Sequence, residues 1–165
     1  MGDGKIKGNL ISKEPDWSIR PDENLLPPGR DSLWPELVLE TGVSESLSEL
    51  MKDARFWLSN SIGDMKMVLV ISVNSKVPHI RYRCVVVSST SVGRNGCVQY
   101  VYSTRHEMEQ TRDATGAVVT TNGPITIHFD ELFLRPPVAP EADITLDSVN
   151  LDRMARSIWN SVLKI

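Results

Sequence analysis

Two acidic residues stand in surroundings that suggest chemistry. Asp16 lies in the segment Glu-Pro-Asp-Trp, and Glu40 closes the apolar run Leu37-Val-Leu39. A carboxylate at the end of a buried strand is unfavourable unless it is paired, hydrogen-bonded or bound to a cation. If the two acids converge, their oxygens suit one Mg²⁺, which would activate water and stabilise charge on a phosphate. A purely structural explanation stays open, in which Glu40 emerges at the solvent end of its strand and Asp16 begins a turn.

Other familiar chemistries lack local support in the sequence. The three histidines, His79, His106 and His128, have no metal-ligand spacing, and there is no serine-hydrolase elbow, Rossmann glycine motif or P-loop. The two cysteines, Cys84 and Cys97, are not in a CxxC pair. They fit reduced thiols in a cytosolic or nuclear protein better than a zinc site or a disulfide framework.

Composition limits the class of protein. The chain has 165 residues, with 18 Lys plus Arg against 21 Asp plus Glu, so its net charge is -3. That balance excludes nucleic-acid binding by bulk positive charge, although a local basic surface stays open. The longest apolar run, Met65 to Val73, is far shorter than the roughly 18 residues of a membrane span, and the first residues lack the apolar stretch of a secretory signal. We expect one intracellular domain, residues 1–165, with no membrane association.

The segment after the proline-rich loop at 19–35 gives the strongest structural prediction. Apolar residues at helical spacing, with Ser46 and Glu49 as a capping box, predict a helix over 46–59. A buried strand is predicted before it at 36–42 and a central strand after it at 67–73.

The remaining segments predict a β-rich middle and a C-terminal helix, hence a mixed α/β (α+β) domain. The predicted elements are a short strand within 8–18, strands at 79–87 and 97–102, an exposed polar loop at 103–116, short strands at 117–121 and 125–129, a helical turn at 130–135, and an amphipathic helix marked by Leu151, Met154, Ala155, Ile158 and Val162.

Several short motifs occur in an order that resembles a known family. They are Lys13-Glu-Pro-Asp16, Trp34-Pro-Glu-Leu-Val-Leu-Glu40, Ser44-Glu-Ser46, Asp53-Ala-Arg-Phe-Trp57 and Phe129-Asp-Glu-Leu-Phe-Leu-Arg-Pro-Pro137. Together they resemble a fungal group of PD-(D/E)XK nuclease-like domains, which is similar in turn to a bacterial family of restriction-endonuclease-like proteins. The likeness runs from about residue 13 to 159, and it rests on the order and spacing of motifs that are individually common.

The resemblance implies a restriction-endonuclease-like mixed sheet flanked by helices, with Asp16 and Glu40 as ligands of Mg²⁺ or Mn²⁺ and DNA as the substrate. The lysine of the parent motif is absent, since its position is Gly42. In the bacterial relatives that lysine lies on the following helix, at a position that is Asp53 here. The nearby cations that can replace it are Lys52 and Arg55 on the predicted helix and Lys66 just before the central strand.

Two functions follow as alternatives. The first is a metal-dependent nuclease-like phosphodiesterase, with Asp16 and Glu40 on the metal and Lys52 or Arg55 stabilising charge on the phosphate. The second is a non-catalytic module of the same fold that binds a protein or nucleic acid partner. The missing lysine favours the second, as does the short N-terminal segment, because the family begins with a helix that carries another acid. Arg81 and Arg83, alternating on one strand, are either a basic surface for phosphates or an ordinary solvated face.

Overall fold

A six-stranded mixed sheet organises the chain in a computed structural model that describes residues 6–8, 11–20, 22–30 and 32–164. The sheet order is β3-β4-β5-β6-β7-β8; β4 and β5 are parallel, and the other neighbours are antiparallel. Two small ladders, β1-β2 and β9-β10, lie outside it. The strands are β1 (Ile6–Gly8), β2 (Ile11–Lys13), β3 (Trp17–Ile19), β4 (Leu37–Val43), β5 (Met67–Val73), β6 (His79–Val92), β7 (Val98–Arg112), β8 (Val118–Thr121), β9 (Ile125–Ile127) and β10 (Ile144–Leu146).

Helices cover both faces of the sheet. They are α1 (Leu47–Asn60), α2 (Phe129–Phe133) and α3 (Ser148–Leu163). Val38, Val68 and Val85 pack in one core cluster with the buried side of α1, whereas the alternate residues of the same strands pack with α3. The predicted mixed α/β class is therefore confirmed. No helix in the described part of the chain is both long and apolar enough to cross a membrane.

The unit β4-α1-β5 forms as predicted. Ser46 caps α1 by accepting a hydrogen bond from the Glu49 backbone N–H at 3.3 Å. A parallel pair needs a crossover connection, and α1 supplies it. The central strand β5 has the predicted bounds, and its first four residues are buried.

The predicted loop at 103–116 is wrong for residues 103–112, whereas residues 113–116 do form the turn that leads to β8. Residues up to Arg112 continue strand β7, which pairs with β6 along nearly its whole length. The strand pattern was hidden because its inward residues include the polar Gln110 beside Met108, both fully buried. A polar residue that is buried because its side chain is hydrogen-bonded inside the core is not recognised in the sequence as part of an apolar face.

The outward face of the same hairpin carries paired charges. Arg81 Nε lies 2.7 Å from a Glu109 carboxylate oxygen, and Arg83 Nη2 lies 2.8 Å from Glu107. Each guanidinium is thus balanced by an acid on the neighbouring strand. These ion pairs leave little net charge for a phosphate backbone, so the surface is closer to the solvated face than to the basic surface considered above.

The N-terminal and C-terminal segments agree with their predicted elements to different extents. The predicted helical turn and C-terminal helix are present as α2 and α3, but β10 was not predicted. The predicted short strand within 8–18 is split between β1, β2 and β3, and its residues 9 and 10 lie outside the described residues. The first residue of the predicted loop at 19–35, Ile19, belongs to β3, and the other described residues of the loop are irregular except for one 3-10 turn, Glu23–Leu25. Residues 21 and 31 are also not described.

Candidate metal site

Asp16 and Glu40 lie on adjacent strands. The register of β3 on β4 pairs Trp17 with Leu39, which puts Asp16 at the level of Glu40. The Asp16 carboxylate accepts hydrogen bonds from the Thr41 backbone N–H at 2.7 Å and from the Thr41 hydroxyl at 2.8 Å. The fold thus brings together two acids that are far apart in the sequence.

Glu40 is a buried carboxylate with a neutral hydrogen-bond donor. Only 4% of the residue is exposed, and its carboxylate accepts a hydrogen bond from the indole N–H of Trp57 on α1. Burial raises the pKa of Glu40 to about 6; the Trp57 hydrogen bond and the charge of Lys13 oppose the rise, while Asp16 and Asp53 add to it. The protein therefore holds Glu40 where its ionised form is less favourable than in water, even with the charge of Lys13 nearby.

Lys13 is the cation that the fold brings to these acids. Its ammonium pairs with the Asp53 carboxylate on α1 and lies 5.9 Å from the ring centroids of both Phe56 and Trp57. Its charge also lowers the pKa of Glu40. Sequence reasoning assigned Lys13 no role, although it opens the Lys-Glu-Pro-Asp motif. The available signal was its place three residues before Asp16.

The cations chosen from the sequence lie elsewhere. Lys52 is exposed and pairs with Glu49 one turn earlier on α1, at 2.6 Å. Arg55 is exposed on the same helix. Lys66 is exposed too, and its ammonium donates to the Gly63 carbonyl at 3.0 Å. These three side chains are turned toward solvent, whereas Lys13 is turned toward the acids.

Gly42 occupies the position of the lysine in the parent motif, and packing explains the glycine. A Cβ built there would lie 2.9 Å from Glu45 Cβ and 3.0 Å from Leu50 Cδ1. Any side chain at this position forces α1 or its leading turn to shift. A lysine at the motif position is therefore incompatible with the observed contact between β4 and α1.

Comparisons with known proteins leave the family open. No family model, curated protein or solved structure matches the chain. The resemblance to PD-(D/E)XK domains therefore stays a prediction, and the basis for a function is the geometry of the site.

The donor set is small but chemically suited to a hard cation. Among the described residues, no group of three or more His, Cys, Asp or Glu side chains is arranged to hold a metal ion. Mg²⁺ does not need such a cage, because it is commonly bound by one or two carboxylates with waters and substrate phosphates completing its shell. Asp16 and Glu40 fit that pattern, and the third acid, Asp53, is engaged by Lys13.

Proposed function

We propose that this protein is a divalent-metal-dependent phosphodiesterase of the restriction-endonuclease type, with DNA as its substrate. The observation that carries the proposal is Glu40, a buried carboxylate whose pKa is raised and whose neighbours on one side are a second acid and a lysine. Strongly perturbed acids that have specific charged partners are concentrated at functional sites. An acid pair that holds a divalent ion, with an ammonium beside it, can stabilise the charge that develops in phosphodiester hydrolysis.

Each residue of the site has a distinct role in this proposal. Asp16 and Glu40 would hold Mg²⁺ or Mn²⁺, with Thr41 fixing the Asp16 carboxylate and Trp57 fixing that of Glu40. When bound, the divalent ion supplies Lewis-acid chemistry at the phosphate. The Lys13 ammonium would stabilise the negative charge that develops on the phosphate oxygens.

Lys13 is a better candidate for this last role than Lys52 or Arg55. Its side chain is one-quarter exposed and its charge acts on Glu40, whereas the side chain of Lys52 is two-thirds exposed and paired with Glu49. A charge in a partly desolvated site stabilises an anionic transition state more strongly than one in water. For Lys13 to reach a phosphate, its ion pair with Asp53 must loosen when substrate binds.

A non-catalytic module of the same fold is the second candidate. The observation that favours it is the pairing of the candidate groups with one another, because Asp16 is bonded to Thr41 and Lys13 to Asp53. Such partners can satisfy these groups without metal or substrate. In that case the acids would be structural, and the protein would act by binding a partner.

Cleavage of supercoiled plasmid DNA in Mg²⁺ or Mn²⁺ tests whether the protein is a phosphodiesterase or a non-catalytic module. We expect Glu40→Gln and Lys13→Met to reduce the cleavage rate by about 100-fold or more, while Glu49→Gln and Lys52→Met, matched exposed substitutions on α1, leave it unchanged. Metal binding without cleavage by the wild type would favour the non-catalytic module. A loss of cleavage in Lys52→Met or Arg55→Met, with Lys13→Met active, would show that the cation comes from α1 instead.

A further inference from the structure

The hairpin of β6 and β7 extends well beyond the rest of the sheet. Strand β5 pairs with β6 only as far as Val86, and β8 pairs with β7 only from Glu109 to Arg112. In the described part of the chain, residues 88–102 therefore form a two-stranded ribbon whose strands pair only with each other. Within it Ser89, Thr90, Ser91 and Val92 pair with residues of β7, and at about 3.3 Å per residue these four pairs carry the ribbon roughly 13 Å past the sheet.

The β7 edge of this ribbon (residues 88–102) lacks the features that normally protect an open strand edge. The single charged residue of the ribbon, Arg94, lies in the turn, and the ribbon contains no proline. Val92, Val98 and Val101 are 72%, 47% and 52% exposed. Native edges are usually guarded by charges, prolines or bulges. A register irregularity between Val87 and Ser89 interrupts the β6 side, so the β7 edge is the regular one.

The backbone groups that face outward on this edge can be assigned from two hydrogen bonds. The Val101 carbonyl accepts from the Ser88 hydroxyl at 3.0 Å, and the Cys97 carbonyl accepts from the Gly93 N–H at 2.8 Å. Both odd-numbered residues thus direct their backbone groups toward β6. Because these groups alternate along an antiparallel strand, those of Val98, Tyr100 and Tyr102 face away from the hairpin.

We propose that this edge binds a second copy of the chain, with the two β7 strands antiparallel about a two-fold axis at Tyr100. This register pairs Tyr100 with Tyr100 of the other copy and Val98 with Tyr102, so every outward-facing residue meets an outward-facing residue. Aromatic and aromatic–β-branched cross-strand pairs stabilise a sheet, and Tyr100 and Tyr102 already stack on one face with centroids 6.5 Å apart. The result is a closed isologous dimer joined by a four-stranded sheet.

Charge favours a second copy over nucleic acid as the occupant. A nucleic-acid-binding surface neutralises several phosphates with several cations, and the ribbon has one. In the antiparallel arrangement the two Arg94 side chains lie at opposite ends of the paired ribbons, so they do not repel each other. The contact involves five residues of each copy, which is smaller than a standard interface, so we expect a dimer of about micromolar affinity.

Disulfide cross-linking tests the register directly, because Cys97 is exposed in the turn and Cys84 is buried. The register puts Cys97 opposite residue 103 of the other copy, at about 4.5 Å between Cα atoms, which a disulfide can span. We expect Ser103→Cys to give a covalent dimer on mild oxidation. The matched control Thr104→Cys, one residue along on the opposite face, should give none, as should Ser103→Cys combined with Cys97→Ser. Equal cross-linking of both variants would overturn the register.

Two variants with opposite charges at Tyr100, the residue on the two-fold axis, test the dimer together. We expect Tyr100→Lys and Tyr100→Glu to be monomers in analytical ultracentrifugation, because each puts like charges opposite each other, and their mixture to form a heterodimer. Recovery in the mixture also shows that both variants are folded. Thr90→Glu, opposite Tyr100 on β6, should leave the dimer intact. A wild type that stays monomeric at every concentration, or a mixture that does not associate, would overturn the proposal, which is independent of the proposed function.

Discussion

Two buried acids at strand β4 are held in different ways. Glu36 immediately precedes the strand, Glu40 lies within it, and burial raises the pKa of both. Glu36 accepts a hydrogen bond from the Arg30 guanidinium at 2.6 Å, and the other arm of Arg30 lies 2.9 Å from Asp64. Glu40 accepts instead from the neutral indole of Trp57, while its nearest cation, Lys13, pairs with Asp53.

The difference separates an acid that has its own buried counter-charge from an acid that, among the described residues, has none. At Glu36 a guanidinium that is itself 93% buried neutralises the charge in place, and the two groups stabilise each other only as a pair. At Glu40 three acids share one lysine, so the group carries excess negative charge at neutral pH. A divalent ion is the natural complement to that excess.

Breaking the Arg30–Glu36 pair is the substitution with the largest expected effect. Arg30→Ala leaves the Glu36 carboxylate buried without its counter-charge, and we expect a loss of about 3–5 kcal/mol in the free energy of unfolding at neutral pH. Urea unfolding measures it. Adding Glu36→Gln should restore part of the loss, because the uncompensated charge is then gone. A cost below about 1 kcal/mol would remove the contrast between the two acids.

In contrast to Arg30→Ala, Glu40→Gln should stabilise the metal-free protein. The Glu40 pKa rises from 4.5 to about 6 on folding, so its contribution to stability is complete below pH 4.5 and is lost as the pH rises through 6. This rise corresponds to about 2 kcal/mol. We therefore expect Glu40→Gln to be about 2 kcal/mol more stable than the wild type at pH 8 and about equal to it at pH 4.5, by urea unfolding in a chelator. A pH-independent difference would contradict the raised pKa.

Trp57→Phe sharpens the comparison of Glu36 with Glu40. It removes the neutral donor to the Glu40 carboxylate and keeps an aromatic ring in the core. The lost hydrogen bond stabilises the ionised carboxylate more than the protonated one. We expect the variant to lose about 1 kcal/mol more stability at pH 8 than at pH 5. Since Trp57 is fully buried, the packing loss alone is common to both pH values. A cost that is equal at the two pH values would mean that the indole does not bind the ionised form.

The smallest expected effect is that of Lys52→Met. An exposed ion pair within a helix contributes little, and we expect the free energy of unfolding to change by less than about 0.5 kcal/mol. Thermal unfolding in low and high salt checks this, because any contribution of the pair with Glu49 should decline as salt screens it. A larger loss in the free energy of unfolding would mean that Lys52 makes a stabilising contact and is not simply exposed to solvent.

The sequence predicted the part of the fold in which local and tertiary signals agree. The helix α1, its Ser46 cap and the strand β5 follow from apolar spacing and capping alone. The continuation of strand β7 beyond residue 102 was missed because Gln110 is buried through hydrogen bonds with Tyr82 and Asp152, partners that are remote in the sequence. A satisfied polar residue in the core cannot be distinguished from a solvated one by its type.

Only half of the residues of the candidate site could be predicted from the sequence, for the same reason. Asp16 and Glu40 were found because each has unusual neighbours along the chain. Lys13 and Asp53 become part of the site only through an ion pair between an N-terminal strand and the middle of α1, a contact that no local spacing encodes. The choice of Lys52 and Arg55 came from helix geometry alone, which gives the face of a residue but not its partner.

Calorimetric titration of the metal-free protein with Mn²⁺ tests the central claim most directly. We expect the wild type to bind the ion with release of protons near pH 6, because binding requires the ionised form of Glu40. Asp16→Asn and Glu40→Gln should each abolish the binding, while the matched exposed substitution Glu49→Gln should not. Binding that survives Glu40→Gln, or a wild type that binds no Mn²⁺, would contradict the assignment of these two acids to a metal site.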